Sequence, residues 1–282
     1  MNFVEWLRII LIGIIEGITE WLPISSTGHM LLFDAVFTTS APDVFTPAFS
    51  EMFMVVIQLG AILAVLTLFF NKLNPFSKKK TAEEKSSTLS LWGKVLIGCL
   101  PAAVAGLFLD DIIEENLNAP IIIAIMLIVY GVLFIAIEIF NKRRTFKIES
   151  TEQLSWKVAF AIGVIQILSL IPGTSRSGVT ILGAMLLGCS RFVAAEYTFF
   201  LAVPVMFGAS ALKIVKYFID GNALMPMQIL VLIVGMVVAY LVSMLVIKFL
   251  MKFIKHHDFK IFGAYRIALG VLVILAFTLW IK

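Results

Sequence analysis

Long stretches of this chain contain no charged residue, and this feature limits the folds that it can adopt. No Asp, Glu, Lys or Arg occurs in residues 52–70, 119–137 or 223–247, and residues 261–281 contain only Arg266. At about 1.5 Å per residue, each run forms a helix of roughly 28 Å or more, the thickness of a bilayer's hydrocarbon core. The runs are continuously apolar, whereas strands of a membrane β-barrel alternate apolar and polar residues. The sequence therefore predicts an all-α polytopic integral membrane protein.

The basic residues lie mainly in three segments between the apolar runs. Segments 71–94, 141–157 and 248–260 contain six, five and four Lys or Arg residues. The remaining candidate loops contain two, both in 213–225. Because loops rich in Lys and Arg stay in the cytoplasm, we expect the three basic segments to face inward. This placement also accounts for the net charge of +4 without a nucleic acid partner.

The charge pattern predicts six full transmembrane helices and leaves two segments unassigned. The predicted crossings are 49–70, 92–109, 119–140, 193–212, 226–248 and 261–281. The other two segments, 4–32 and 156–190, are apolar at both ends and broken in the middle by Pro, Gly and hydroxyl residues. Each must start and end on one side of the membrane. We therefore expect two re-entrant helix–loop–helix segments, whose irregular backbone is satisfied by protein or a polar cavity.

Each re-entrant segment is followed by three crossings, so the second half is predicted to be inserted upside down. A shift of 150 residues also aligns five residues of the first segment with five of the second: Gly13, Glu16, Ser25, Thr27 and Gly28 with Gly163, Gln166, Ser175, Ser177 and Gly178. We expect a single membrane domain, 1–282, made of inverted repeats 1–140 and 156–282. The site is then expected where the broken segments meet, with 4–32 entering from outside.

The first broken segment contains "EGITEWLPISSTGHM", residues 16–30, which we call the first polar segment. Glu16 and Glu20 are four residues apart and share a helix face, so their charges repel unless a divalent cation or a proton lies between them. After Pro23, the hydroxyl-rich turn offers donors that suit an anion. It contains Ser25, Ser26, Thr27, Gly28 and His29. Either Ser26 or His29 could act as the nucleophile, and His29 could also carry protons or bind a metal.

The second broken segment contains "PGTSRSGVT", residues 172–180, which we call the second polar segment. Arg176 presents a planar fork of donors that matches phosphate oxygens. An alternative role for Arg176 is that of a buried partner for Glu16 or Glu20. The neighbouring phosphate-binding candidates are Gly173, Thr174, Ser175, Ser177 and Thr180.

Together, these groups indicate phosphoryl chemistry on a lipid-linked substrate within the membrane. A transporter of anions would use the same broken helices and inverted repeat, so from the residues alone both functions stay open.

The two polar segments, with "AAEYTFFLAVPVMFGA" at 194–209, resemble the undecaprenyl-diphosphatase family, the bacitracin-resistance phosphatases of bacterial membranes. The resemblance covers essentially the whole chain. The family's acidic pattern matches Glu16 and Glu20, and its other two motifs match two further groups: Ser26, Thr27, Gly28 and His29, then Gly173, Ser175, Arg176, Ser177 and Thr180. This resemblance implies hydrolysis of undecaprenyl diphosphate to the monophosphate, which recycles the lipid carrier for peptidoglycan. It also implies a divalent cation such as Mg²⁺ or Ca²⁺, a bacterial plasma (inner) membrane location and a site open to the outer face. A homodimer is compatible with these features.

Several residues outside the motifs also carry expectations. Arg266 is expected to extend to the cytoplasmic interface, and Gln58 to hydrogen-bond a neighbouring helix. His256 and His257 lie in a basic loop, where we expect them to be solvated. Glu51 and Glu196 each lie at the start of the first crossing of their half. Each is expected to be either a site residue or an interfacial charge. Both cysteines, Cys99 and Cys189, are expected to be packing residues.

Overall fold

The computed structural model describes residues 1–37, 39, 41–142 and 144–280, whose regular secondary structure is helical apart from one isolated β-bridge between Ile148 and Cys189. A 3₁₀ turn spans Ile167–Leu170, and a π-helical turn spans Ala276–Trp280. The α-helices are α1 (Phe3–Thr19), α2 (Ser26–Val36), α3 (Pro47–Val56), α4 (Gln58–Leu68), α5 (Phe70–Leu73), α6 (Ala82–Leu117), α7 (Pro120–Asn141), α8 (Trp156–Gln166), α9 (Arg176–Leu186), α10 (Arg191–Ile219), α11 (Pro226–Phe253) and α12 (Lys260–Leu275).

Within the described residues, six helical stretches are long and apolar enough to cross a membrane. They are Pro47–Leu68, Ala82–Leu109, Pro120–Asn141, Arg191–Ile219, Pro226–Phe253 and Lys260–Leu279. Their outer surfaces are apolar: Leu107 and Leu245, for example, are 75% and 70% exposed. Side chains of this kind need an apolar solvent around them. The prediction of an all-α multi-pass membrane protein with six long helices is confirmed.

The boundaries of two predicted crossings were wrong. Helix α6 begins at Ala82 rather than at residue 92. Thr81 and Glu84 form a reciprocal capping box, which starts the helix within the basic segment 71–94. Helix α10 runs to Ile219, seven residues past its predicted end at residue 212. The predicted end of the last crossing, residue 281, lies outside the described residues.

Contacts between the helices cross from one half of the chain to the other. Helix α1 packs on α11, α8 packs on α6, and α7 packs along α12. The first spans of the halves, α3–α4 and α10, also touch. Two ion pairs involve α10 at different positions: Glu51 of α3 pairs with Lys213, and Lys72 of α5, which follows α4, pairs with Glu196 at 2.7 Å. The two halves are therefore interleaved rather than side by side.

Small residues allow these helices to approach closely. A Cβ atom added to Gly60 of α4 would lie 2.1 Å from the carbonyl oxygen of Met236 on α11. On α8, a Cβ atom at Gly163 would lie 2.2 Å from the carbonyl oxygen of Gly98 on α6. Membrane helices commonly associate through such contacts, because lipid gives little hydrophobic drive for helix pairing. Both cysteines, Cys99 and Cys189, are buried and unbridged, as expected.

Replacing Gly60 with Ala should destabilise the protein, because the methyl group would collide with rigid backbone. Overpacking of this kind costs about 1–3 kcal/mol. The matched control is Gly208→Ala in α10, where nothing lies within 4 Å of the new Cβ atom. Thermal unfolding of the purified proteins in detergent should show a lower midpoint for Gly60→Ala than for wild type. The midpoint of the control should equal that of wild type. Equal midpoints for the two variants would contradict this packing.

Candidate active site

The two polar segments break their helices in the same way. Helix α1 ends at Thr19 and α2 begins after Ser25, while α9 begins after Ser175. Ser25 and Ser175 have φ angles of 73° and 68°, and they are the non-glycine residues with positive φ in the described chain. This conformation is costly for a residue with a Cβ atom, so the surrounding structure must hold it. The shared strain falls at two positions that the 150-residue shift aligned.

An ion pair between Arg176 and Glu20 joins the two polar segments. The Arg176 Nη2 atom donates to Glu20 Oε1, although the residues are 156 positions apart in the chain. The other terminal nitrogen, Nη1, is buried and has no hydrogen-bond partner among the described residues. The alternative role of Arg176, as a partner for a glutamate, is therefore present in this structure. A free donor remains on the same guanidinium.

Glu16 is almost fully buried one helical turn before Glu20. Its side chain lies near those of Glu20, Arg176 and Gln58, the last at the start of α4. Gln58 therefore lies near a polar group of the neighbouring helix α1, and the hydrogen bond expected for it stays a prediction. The Glu16 Oε1 atom has no hydrogen-bond partner in the described part of the chain. The arrangement therefore leaves an unsatisfied carboxylate oxygen beside a second carboxylate.

These carboxylates are the protein's candidate cation ligands. In the described residues, no group of three or more His, Cys, Asp or Glu side chains is arranged to hold a metal ion. Magnesium, however, commonly binds through one or two carboxylates together with substrate phosphates and water. The paired glutamates and the unpartnered Glu16 oxygen fit a site of that kind.

His29 is held in place by both of its ring nitrogens. Nδ1 lies 2.7 Å from the Ser25 carbonyl oxygen, which can only accept, so Nδ1 must donate. Nε2 then accepts from the Tyr265 hydroxyl, also at 2.7 Å, and the two rings are stacked. Sequence analysis missed Tyr265, because nothing in an apolar helix near the C-terminus indicates a contact with residue 29. Ser26, by contrast, is partly exposed at the start of α2 and has no side-chain partner among the described residues.

The hydroxyl groups of the second polar segment bond mainly to the protein itself. Thr174 donates to the carbonyl of Ile171 at 2.7 Å, and Thr180 donates to that of Arg176 at 2.9 Å. Ser175 accepts from the backbone N–H of Gly178 and lies 3.2 Å from the Ser177 hydroxyl. Of the predicted phosphate-binding residues here, Thr174 and Thr180 therefore stabilise the turn and helix. In the first polar segment, the Ser25 hydroxyl is buried and has no partner among the described atoms.

Gly173 and Arg266 fix the backbone around the ion pair. Gly173 has a φ of +90°, and a Cβ atom there would lie 2.6 Å from the Ile123 carbonyl oxygen, so only glycine fits. Arg266 is 0% exposed and donates to the carbonyls of Pro23, Gly173 and Thr174 at 3.2, 2.8 and 3.0 Å. It therefore contacts both polar segments.

The expectation that Arg266 extends to the interface was wrong. The broken helices leave carbonyl groups without helical donors, and the guanidinium supplies donors from α12, which packs between the two segments. The available signal was a single arginine in a run of 21 otherwise uncharged residues.

Comparison with known proteins identifies the family of the chain. A family model described as "Bacitracin resistance protein BacA" matches residues 9–272, a range that includes both polar segments. The chain belongs to the BacA family. The resemblance identified from the motifs is thereby confirmed.

Relatives of this BacA-family chain align over nearly their whole length. A protein from Enterococcus faecalis is 56% identical over 277 residues, which cover 98% of each chain. One from Acetivibrio thermocellus is 54% identical over 273 residues, 97% of this chain and 98% of the relative. One from Streptococcus thermophilus is 53% identical over 271 residues, 96% of this chain and 93% of the relative. All three relatives are named undecaprenyl-diphosphatase.

Replacing Arg266 with Gln should destabilise this BacA-family protein, because three buried carbonyl groups would lose charged donors. Each lost bond of this type costs about 1.5–3 kcal/mol. The control is Arg144→Gln, which removes an exposed arginine that lies over the Phe140 ring. The midpoint of thermal unfolding in detergent should fall clearly for Arg266→Gln and stay nearly constant for Arg144→Gln. An unchanged midpoint for Arg266→Gln would show that these hydrogen bonds do not hold the two segments.

Proposed function

We propose that this chain hydrolyses undecaprenyl diphosphate to undecaprenyl phosphate and inorganic phosphate. The names of its full-length relatives support the reaction. The observation that carries the location of the site is the buried Arg176–Glu20 pair, which joins the two polar segments and leaves Arg176 Nη1 unpartnered in the described structure. The reaction would return the lipid carrier to peptidoglycan synthesis and contribute to bacitracin resistance.

In this proposal, the terminal phosphate is bound by Arg176 and by the start of α2. A guanidinium donor and the backbone N–H groups of a helix N-terminus both favour phosphate oxygens. At α9, the cap residue Ser175 already accepts from Gly178, whereas at α2 the cap residue Ser25 makes no such bond. The first turn of α2 therefore has more free donors for the substrate. The phosphate would contact Ser25, Ser26 and Thr27 there, with Ser177 on the opposite side.

We propose that Glu16 and Glu20 hold a divalent cation, Mg²⁺ or Ca²⁺, when substrate is bound. Such a cation supplies charge neutralisation for the diphosphate. The unpartnered oxygen of Glu16 supports this assignment.

Ser26 is the nucleophile that the contacts favour. Both nitrogens of His29 are engaged, by Ser25 and Tyr265, while the Ser26 hydroxyl lacks a side-chain partner in the described chain. The Ser26 oxygen would attack the terminal phosphorus and form a P–O bond, and the hydroxyl proton would pass to the departing undecaprenyl phosphate. The bond from that phosphorus to the bridging oxygen would break, and undecaprenyl phosphate would leave. Water would then hydrolyse the phosphoserine to release inorganic phosphate and restore Ser26.

We also propose that the protein is a single membrane domain of inverted repeats, 1–140 and 156–282, with re-entrant segments 4–32 and 156–190. Three reciprocal features support this: α1 on α11 with α8 on α6, the ion pairs that α10 makes with α3 and α5, and the strained Ser25 and Ser175. The basic loops support a bacterial plasma membrane topology in which the first polar segment opens to the outer face. A homodimer stays a prediction.

The same reciprocal halves favour a second candidate function, transport or flipping of polyprenyl phosphate. Inverted repeats with broken helices recur in transporters, which alternate access around a central site. In sealed vesicles, a transporter would move the lipid phosphate across the membrane without release of inorganic phosphate. Release of inorganic phosphate by protein in detergent would establish hydrolysis independently of any movement.

Loss of either partner of the central ion pair should abolish hydrolysis. Glu20→Gln and Arg176→Gln should each lower phosphate release from undecaprenyl diphosphate about 10²-fold or more, the effect expected for a donor that stabilises transition-state charge. The control is Lys213→Gln, which breaks the ion pair with Glu51 instead. Folded protein in detergent should be assayed with and without a chelator. Near-normal release by both site variants would refute the site, and chelator-insensitive release by wild type would refute the cation.

A trapped phosphoenzyme would separate the nucleophile candidates. After a brief reaction with substrate labelled in the terminal phosphate and a denaturing quench, wild type and Tyr265→Phe should both retain label on serine. Ser26→Ala should retain none. Label on His29, or turnover by Ser26→Ala, would exclude Ser26 as the nucleophile. If no variant or wild type ever carries label, an activated water is the better mechanism.

A further inference from the structure

A cavity of about 380 Å³ lies on the face that carries the basic loops, away from both polar segments. It is formed by the end of α7, the start of α10 and the loop before α12. Every residue that lines it is charged or is a histidine. The basic members are Lys142, Arg191, Lys255, His256, His257 and Lys260. We call this cavity the basic pocket.

The two carboxylates in the basic pocket already have partners. Glu138 is buried and accepts from Arg191 Nε at 2.8 Å and from the Phe259 backbone N–H at 2.9 Å. Asp258 pairs with Lys260 at 2.9 Å. Lys142 and Lys255 have no carboxylate partner among the described residues, so the pocket has a formal charge of +2 with neutral histidines. Such a pocket favours an anion.

Several of the basic groups are held in position before any ligand binds. His257 stacks on Phe253 with ring centroids 4.4 Å apart, and its Nδ1 lies 3.2 Å from the Phe253 carbonyl oxygen. That nitrogen must donate, which leaves Nε2 for another partner. Lys255 Nζ lies 6.0 Å from the centroid of the Phe192 ring. Glu138 fixes the plane of the Arg191 guanidinium through two of its nitrogens.

The surroundings of the basic pocket indicate which anion fits. Ile139 and Phe140 follow Glu138 and are 60% and 58% exposed, and Ile261, which follows Lys260, is 59% exposed. These side chains belong to stretches long and apolar enough to cross a membrane, so they face lipid. A phosphate that carries acyl chains can fill the pocket and cover these residues at once, which a free phosphate cannot do.

We propose that the basic pocket binds the phosphate of an anionic phospholipid from the surrounding leaflet. Basic pockets between membrane helices on the cytoplasmic side recognise such headgroups by charge. The pocket shares no residue with the two polar segments, so this assignment does not depend on the proposed reaction. His256 and His257 are exposed, as expected from the sequence, and both rings also line the basic pocket.

The proposal can be tested with phosphatidylglycerol as the probe and phosphatidylcholine as the neutral background. Full-length protein in phosphatidylcholine nanodiscs is titrated with phosphatidylglycerol, and bound lipid is counted by native mass spectrometry. Each basic residue near an anionic headgroup contributes about fivefold in affinity, so Lys142→Gln/Lys255→Gln should bind roughly 25-fold more weakly. The matched control, Lys78→Gln/Lys79→Gln, removes two exposed lysines from another basic loop and should bind like wild type.

Three results would overturn the proposal. They are unchanged binding by the Lys142/Lys255 variant, an equal loss in the control variant, and displacement of phosphatidylglycerol from wild type by millimolar inorganic phosphate. The last result would indicate a site for soluble phosphate instead. His257→Gln serves as a second variant, and it should also weaken binding. Thermal midpoints equal to wild type confirm that the variants are folded.

Discussion

The structure depends on one constraint, which is that carbonyl groups buried at breaks between helices must find hydrogen-bond donors within the protein. Both polar segments interrupt their helices, and their carbonyl groups turn towards a shared centre. Arg266 donates to Pro23, Gly173 and Thr174 and so satisfies carbonyls from both breaks. Burying a guanidinium without a carboxylate is expensive. Its three carbonyl contacts and the Tyr130 ring, 5.6 Å away, offset that cost.

The two polar segments have similar backbone conformations but carry different side chains. Ser25 and Ser175 adopt the same strained conformation, and each precedes a short helix. The side chains around them differ, since Glu16 aligns with Gln166 and Ser26 with Arg176. One segment therefore contributes carboxylates and a hydroxyl, and the other contributes the guanidinium. The Arg176–Glu20 pair exists because the two breaks meet.

Sequence analysis predicted the parts of this architecture that depend on local composition. The six long helices follow from apolar length, and the two breaks follow from Pro, Gly and hydroxyl residues between apolar stretches. The start of α6 was missed because a capping box, which needs only four residues, began the helix in a charged segment. The roles of Tyr265 and Arg266 could not be predicted. Their partners lie more than 90 residues away, and only tertiary packing brings α12 to both segments.

The charges at the centre also bear on the cation that we propose. With both glutamates ionised, Glu16, Glu20, Arg176 and Arg266 have no net charge. A diphosphate entering this site would add negative charge where the dielectric constant is low, and Arg176 cannot neutralise it while paired with Glu20. Release of Arg176 to the phosphate would leave two adjacent carboxylates unpaired, which raises the cost further. Both difficulties would be removed if Glu16 and Glu20 held a divalent cation, since their charge would then be compensated and Arg176 would be available to the substrate phosphate.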